Sequence, residues 1–146
     1  LKDQLDDLVE FHRIFGAHVE TEPTADLPDA VIALRVSLIQ EELNEYREAA
    51  AAHDLVAVAD ALSDLMYVVL GTYVSHGLQD LAEALFAEVH RSNLSKLDEH
   101  GRVIHRADGK VLKSDRWRPP DLRTILAAEA AGRSEPQDQE QQIRGA

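Results

Sequence analysis

The chain has no cysteine. Disulfides, zinc–thiolate centres and thiol nucleophiles are therefore excluded, and the composition suits a reducing cytoplasm. Aromatic residues make up only 5%. That scarcity argues against a β-sandwich and leaves the abundant alanine and leucine to favour helices. Basic side chains are few over residues 1–90, which carry 4 of them against 18 acidic ones. With a net charge of −12 over 146 residues, a general nucleic-acid binder is excluded, because phosphate backbones need neutralising lysines and arginines. The acidic, amphipathic start at residues 1–10 lacks the basic-then-apolar order of a signal peptide.

The charge that is present is unevenly placed. Residues 91–126 carry 9 basic and 5 acidic side chains, so an acidic body is followed by a basic segment. Hydrophobic spacing predicts an all-α antiparallel bundle: a four-helix core over residues 3–15, 29–51, 55–77 and 80–90. Asp54 is placed to cap the third helix. Between Arg91 and Pro120 helical periodicity fails, and Asp108-Gly109 reads as the turn of a small hairpin excursion. Asp121 caps a short last helix that ends near Ala131, which closes the domain 1–131. The polar, Gln-rich segment 132–146 reads as a disordered tail.

Five carboxylates fall on faces that should be apolar. Projected at about 100° per residue, Val31, Leu34, Leu38, Glu42, Glu45 and Ala49 share one arc, with Glu41 at its edge. Asp60 and Asp64 are the only charges in the 20-residue run 55–74 and stack one turn apart, on a face with Tyr67 and Gly71. A membrane span of that length is excluded by the two aspartates and the lack of a positive flank. A short turn makes the two helices antiparallel, so Glu45 lies level with Asp60, and Glu41 and Glu42 with Asp64. Such a cluster is buried only with a cation to neutralise it. All-oxygen ligation selects Mg²⁺, with Mn²⁺ as a substitute. Di-iron chemistry is excluded, since none of the seven histidines follows a glutamate at the Glu-x-x-His spacing.

The order Glu41-Glu42-Leu-Asn-Glu45 followed by an acidic apolar helix resembles the all-α NTP pyrophosphatases. That superfamily includes MazG proteins, dimeric dUTPases, dCTP pyrophosphatases and phosphoribosyl-ATP pyrophosphohydrolases. Its pattern is E-E-x-x-E, then E-x-x-D; here Ala61 replaces the second motif's glutamate, and neighbouring Asp60 is the candidate to supply the missing ligand. The resemblance covers residues 5–122. With Asn93-Leu-Ser-Lys96 and Lys113-Ser-Asp-Arg116, it is nearest a MazG-like subgroup directed at dUTP. It implies Mg²⁺-dependent hydrolysis between the α- and β-phosphates, in a house-cleaning role, with Glu42, Glu45, Asp60 and Asp64 as ligands and Glu41 as general base. Asn93, Lys96, Lys113 and Arg116 are the candidate phosphate or sugar contacts. The base is expected against Phe11, His12 and Phe15, or against Tyr67 and Trp117. Phosphoribosyl-ATP hydrolysis and a non-catalytic, metal-stabilised regulatory dimer are the alternatives. A second apolar stripe, Leu62, Met66, Val69 and Tyr73, implies an obligate oligomer, at least a homodimer.

Overall fold

A computed structural model describes residues 1–134. The helices form where capping and breaking residues place them: α1 Lys2–Phe15, α2 Asp29–Ala52, α3 Leu55–Ser75, α4 Ala82–Leu94 and α5 Leu122–Ser134. Gly16 ends α1 in the left-handed conformation at φ 69, which costs glycine nothing. Asp54 caps α3 as expected, accepting from the Val56 and Ala57 amides at 3.0 and 3.1 Å. Among the described residues the excursion forms no strand, only an antiparallel bridge between His105 and Val111 that closes over Gly109 at φ 84. The all-α expectation is met. Helix α5 runs three residues past the predicted end at 131, and residues 135–146 of the expected tail lie outside the described residues.

The chain divides into two compact units, the first spanning Leu1–Glu83 and the second starting at Ala84. In the first, α3 packs on both α1 and α2. Its core is Leu5 and Leu8 of α1, Leu70 and Val74 of α3, and Ala82, with Val9, Val19 and Tyr73 against them. The segment between α1 and α2 is strapped to the C-terminal end of α3. The Glu20 amide donates to the Val74 carbonyl and the Thr24 amide to the His76 carbonyl. The His76 ring bonds the Thr24 carbonyl, and the Gln79 side chain donates to the Glu20 carbonyl.

Two expectations about faces change. Tyr73, assigned to an outward stripe, packs against the core, because the strap and α1 enclose the C-terminal half of α3. Phe15, at helical spacing with Leu5, Leu8 and His12 on α1, is 70% exposed while those three are buried. The N-terminal half of α3 and most of α2 also stay open: Leu34, Val36, Leu55, Val56 and Met66 are all more than half exposed. Three helices of one chain cannot cover both sides of α3, which is long and apolar enough to cross a membrane by length and composition.

The second unit is held by polar contacts. Glu88 accepts two hydrogen bonds from Arg91, at 2.7 and 2.6 Å, and one from the Asp121 amide at 2.7 Å. Those donors hold its carboxyl down at about 2. Asp121 caps α5 through the Thr124 amide and hydroxyl, and the buried Ser92 hydroxyl donates to the Arg118 carbonyl.

Candidate metal and nucleotide site

Helices α2 and α3 carry all five acidic candidates. Burial pushes the Glu42 carboxyl up, and the charges of Glu45, Asp64, Glu41 and Asp60 push it further. Carboxylates of both helices therefore act on Glu42 across the α2–α3 pair, as the helical projection requires. Their depth differs from expectation. Glu41, Glu45, Asp60 and Asp64 are exposed, and Glu42 is half-buried. Within the first unit only one side of α2–α3 is covered, so the cluster lies on an open face of that unit rather than in a closed core.

Glu42 is the exception within the cluster. Its Oε2 is buried and has no hydrogen-bond partner, a state that costs free energy until a donor or cation arrives. Among the described residues no ion pair joins any of the five to Arg35 or Arg47, so arginine pairing does not account for them. No three acidic or histidine side chains among the described residues are already converged as metal ligands. An orphaned carboxylate oxygen among four further oxygen donors fits a hard divalent cation. Ala61, at the position of the superfamily's glutamate, is 2% exposed and packed, whereas Asp60 beside it is open to solvent.

One turn beyond Asp64 the face turns aromatic. Phe11 meets Tyr67 edge-on at 5.5 Å between centroids and stacks on Phe15 at 4.4 Å. Phe15 and Tyr67 are exposed, at 70% and 41%, and offer ring faces on which a base can stack. His12 is different: it is 2% exposed, with Nδ1 2.8 Å from the His18 carbonyl. A carbonyl only accepts, so Nδ1 carries the proton and Nε2 the lone pair. Burial lowers the imidazole's affinity for a proton, and the Arg35 and His18 charges lower it further against the opposing His18 hydrogen bond.

The basic candidates all belong to the second unit. Lys96 Nζ donates to Asn93 Oδ1 at 2.6 Å, and Lys113 lies 3.4 Å over the Trp117 ring, a cation–π contact. Lys113 and Arg116 line a cleft of ≈ 310 Å³ with Asp98, His100 and Arg102. The sequence reading did not anticipate the close approach of Arg35 to Gly71, where an added Cβ would lie 2.9 Å from Arg35 Nη1. Both lie on the faces that carry the acidic cluster. The available signal was a glycine inside a helix, which costs about 1 kcal/mol against alanine.

A family model described as phosphoribosyl-ATP pyrophosphohydrolase matches residues 8–93, more than half of the chain. The chain belongs to that family. No curated protein matches it. The match takes in Glu41, Glu42, Glu45, Asp60, Asp64 and Asn93; Lys96, Lys113 and Arg116 fall beyond it. Membership in the phosphoribosyl-ATP pyrophosphohydrolase family makes the chain a pyrophosphohydrolase acting on a nucleotide.

Proposed function

We propose that the chain hydrolyses the α–β phosphoanhydride of a nucleoside triphosphate, releasing pyrophosphate, with Mg²⁺ held by Glu42, Glu45, Asp60 and Asp64. The observation that carries this reading is the buried, unpartnered Oε2 of Glu42 among four other carboxylates. When bound, the cation supplies charge for the phosphate oxygens and acidifies a water. The chain's own residues do the rest. Glu41, next to Glu42 but exposed, accepts the attacking water's proton. The pyrophosphate departs with the electron pair of the broken P–O bond. Phe11, Phe15 and Tyr67 stack the base.

The family match puts phosphoribosyl-ATP ahead of dUTP as the substrate. Preference for dUTP is the second reading, supported only by the resemblance of the Asn93–Lys96 and Lys113–Arg116 stretches to a dUTP-directed subgroup. Pyrophosphate release with Mg²⁺ from phosphoribosyl-ATP, dUTP, dCTP and ATP decides between them. Highest turnover of phosphoribosyl-ATP supports the first reading and of dUTP the second, whereas orthophosphate release, or no turnover, sinks both.

The open apolar face of α2 and α3 is proposed to meet a second copy of the chain in the cytoplasm. A bilayer is the poorer partner, because Asp60 and Asp64 would enter hydrocarbon at several kcal/mol, roughly. Sedimentation equilibrium is expected to return at least twice the 16.2 kDa chain mass. A monomer at micromolar concentration would remove this part of the reading.

A further inference from the structure

We infer that Arg35 is the residue that grips the nucleoside end of the substrate, through an oxygen acceptor on the base or on an attached sugar phosphate, with His12 positioning it on Gly71. This rests on the nucleotide reading above. The two helices put Arg35 where such a grip is needed. It lies seven residues before Glu42 on α2, about 10 Å along the axis and on nearly the same face. Gly71 lies seven residues beyond Asp64 on α3, so both helices of the acidic face lead to the same level. The aromatic pair Phe11–Tyr67 lies between the two levels. Acid, aromatic ring and guanidinium thus follow one another in the order of metal-bound phosphates, base, and the base's outer edge.

Gly71 shows that the seat is built. A Cβ at this position would come within 2.9 Å of both Arg35 Nη1 and His12 Nε2. The absence of a side chain is what lets the guanidinium and the imidazole approach the α3 backbone. Among the described residues Arg35 has no hydrogen bond and no carboxylate in ion-pair range, although the chain carries 27 acidic residues. It is half-buried, and burial lowers its pKa. A partly desolvated guanidinium without an anion is poorly compensated, and its planar fork suits paired oxygen acceptors. His12 cannot serve the ligand directly, being 2% exposed. With Nδ1 tied to His18, its Nε2 faces the same Gly71 position as the guanidinium, so the imidazole walls the seat without competing as a donor.

Calorimetric titration of the full chain with dUMP, AMP and phosphoribosyl-AMP in Mg²⁺ tests this, alongside Arg35→Gln, Arg35→Lys and, as a charge control, the exposed Arg47→Gln. Arg35→Gln is expected to weaken binding at least about tenfold. Arg35→Lys recovers part of that loss, and Arg47→Gln leaves affinity unchanged. A loss for dUMP assigns the acceptor to a base carbonyl. A loss for phosphoribosyl-AMP, with AMP unaffected, assigns it to the second phosphate. Wild-type affinity for all three in both Arg35 variants, or no binding by the wild type, overturns the inference. Pyrophosphate release is read separately. A wild type that binds through Arg35 but releases none defeats the catalytic reading alone. Release with unchanged KM in Arg35→Gln defeats the inference alone.

Discussion

Glu42→Gln is expected to lower pyrophosphate release about a hundred- to a thousandfold, a loss of the size seen when a group that stabilises transition-state charge is removed, and to abolish Mg²⁺ binding. The same substitution should stabilise the metal-free protein at neutral pH. Burial and four neighbouring carboxylates raise the Glu42 pKa in the folded state, so the folded chain holds this proton more tightly than the unfolded chain. The contribution to stability is then greatest below the ordinary glutamate range. It declines as pH rises through the raised value. Glutamine removes that decline. In the wild type Mg²⁺ reverses it, because binding requires the ionised carboxylate and strengthens as the proton leaves. Thermal melts from pH 4 to 8, with and without Mg²⁺, measure both slopes. A Glu42→Gln protein with wild-type turnover would show that the orphaned oxygen has no part in catalysis. Asp60→Asn belongs in the same assay: full rate and full Mg²⁺ affinity would show that Asp60 does not replace the glutamate missing at Ala61.

The reasons some of this was legible in the sequence are local. Asp54 and Asp121 declare helix starts because a short carboxylate satisfies free amides wherever a chain turns into a helix, and both do so here. The sharing of one neighbourhood by Glu42, Glu45, Asp60 and Asp64 follows from helical period and a short turn, and the raised Glu42 pKa agrees with it. Burial did not follow. Periodicity identifies a face but not what covers it, so Glu45, Asp60 and Asp64 were expected inside and are exposed, as is Glu41 at the edge of the arc. Tyr73 changed sides for the same reason: the strap of residues 17–27 encloses one end of α3 through backbone bonds that side-chain periodicity does not announce. The Arg35 seat was hidden because its signature is a missing side chain, at Gly71. Only the cost of a glycine in mid-helix marks it in advance.

That strap accounts for the second large effect, Gly77→Ala. Gly77 follows α3 at φ +68, and an added Cβ would overlap the Glu22 carbonyl carbon and oxygen and touch its nitrogen at 3.0 Å. The colliding atoms are backbone, so they cannot rotate away as a side chain would. Left-handed geometry adds a penalty of about 1–2 kcal/mol for a residue with a Cβ. Together with the overlap, a loss of about 2–4 kcal/mol is expected. Gly16→Ala separates the two contributions. Gly16 has nearly the same φ, +69, but nothing lies within 4 Å of its Cβ position, so it should lose only the conformational part. Urea unfolding of the two variants, at unchanged m-values, measures the difference as a shift in midpoint. Equal midpoints would mean that the 17–27 segment moves aside without cost. If it does not, the damage reaches the nucleotide end, because the His18 carbonyl that fixes the His12 tautomer belongs to that segment. Gly77→Ala should therefore weaken nucleotide binding as well as stability, and Gly16→Ala should not.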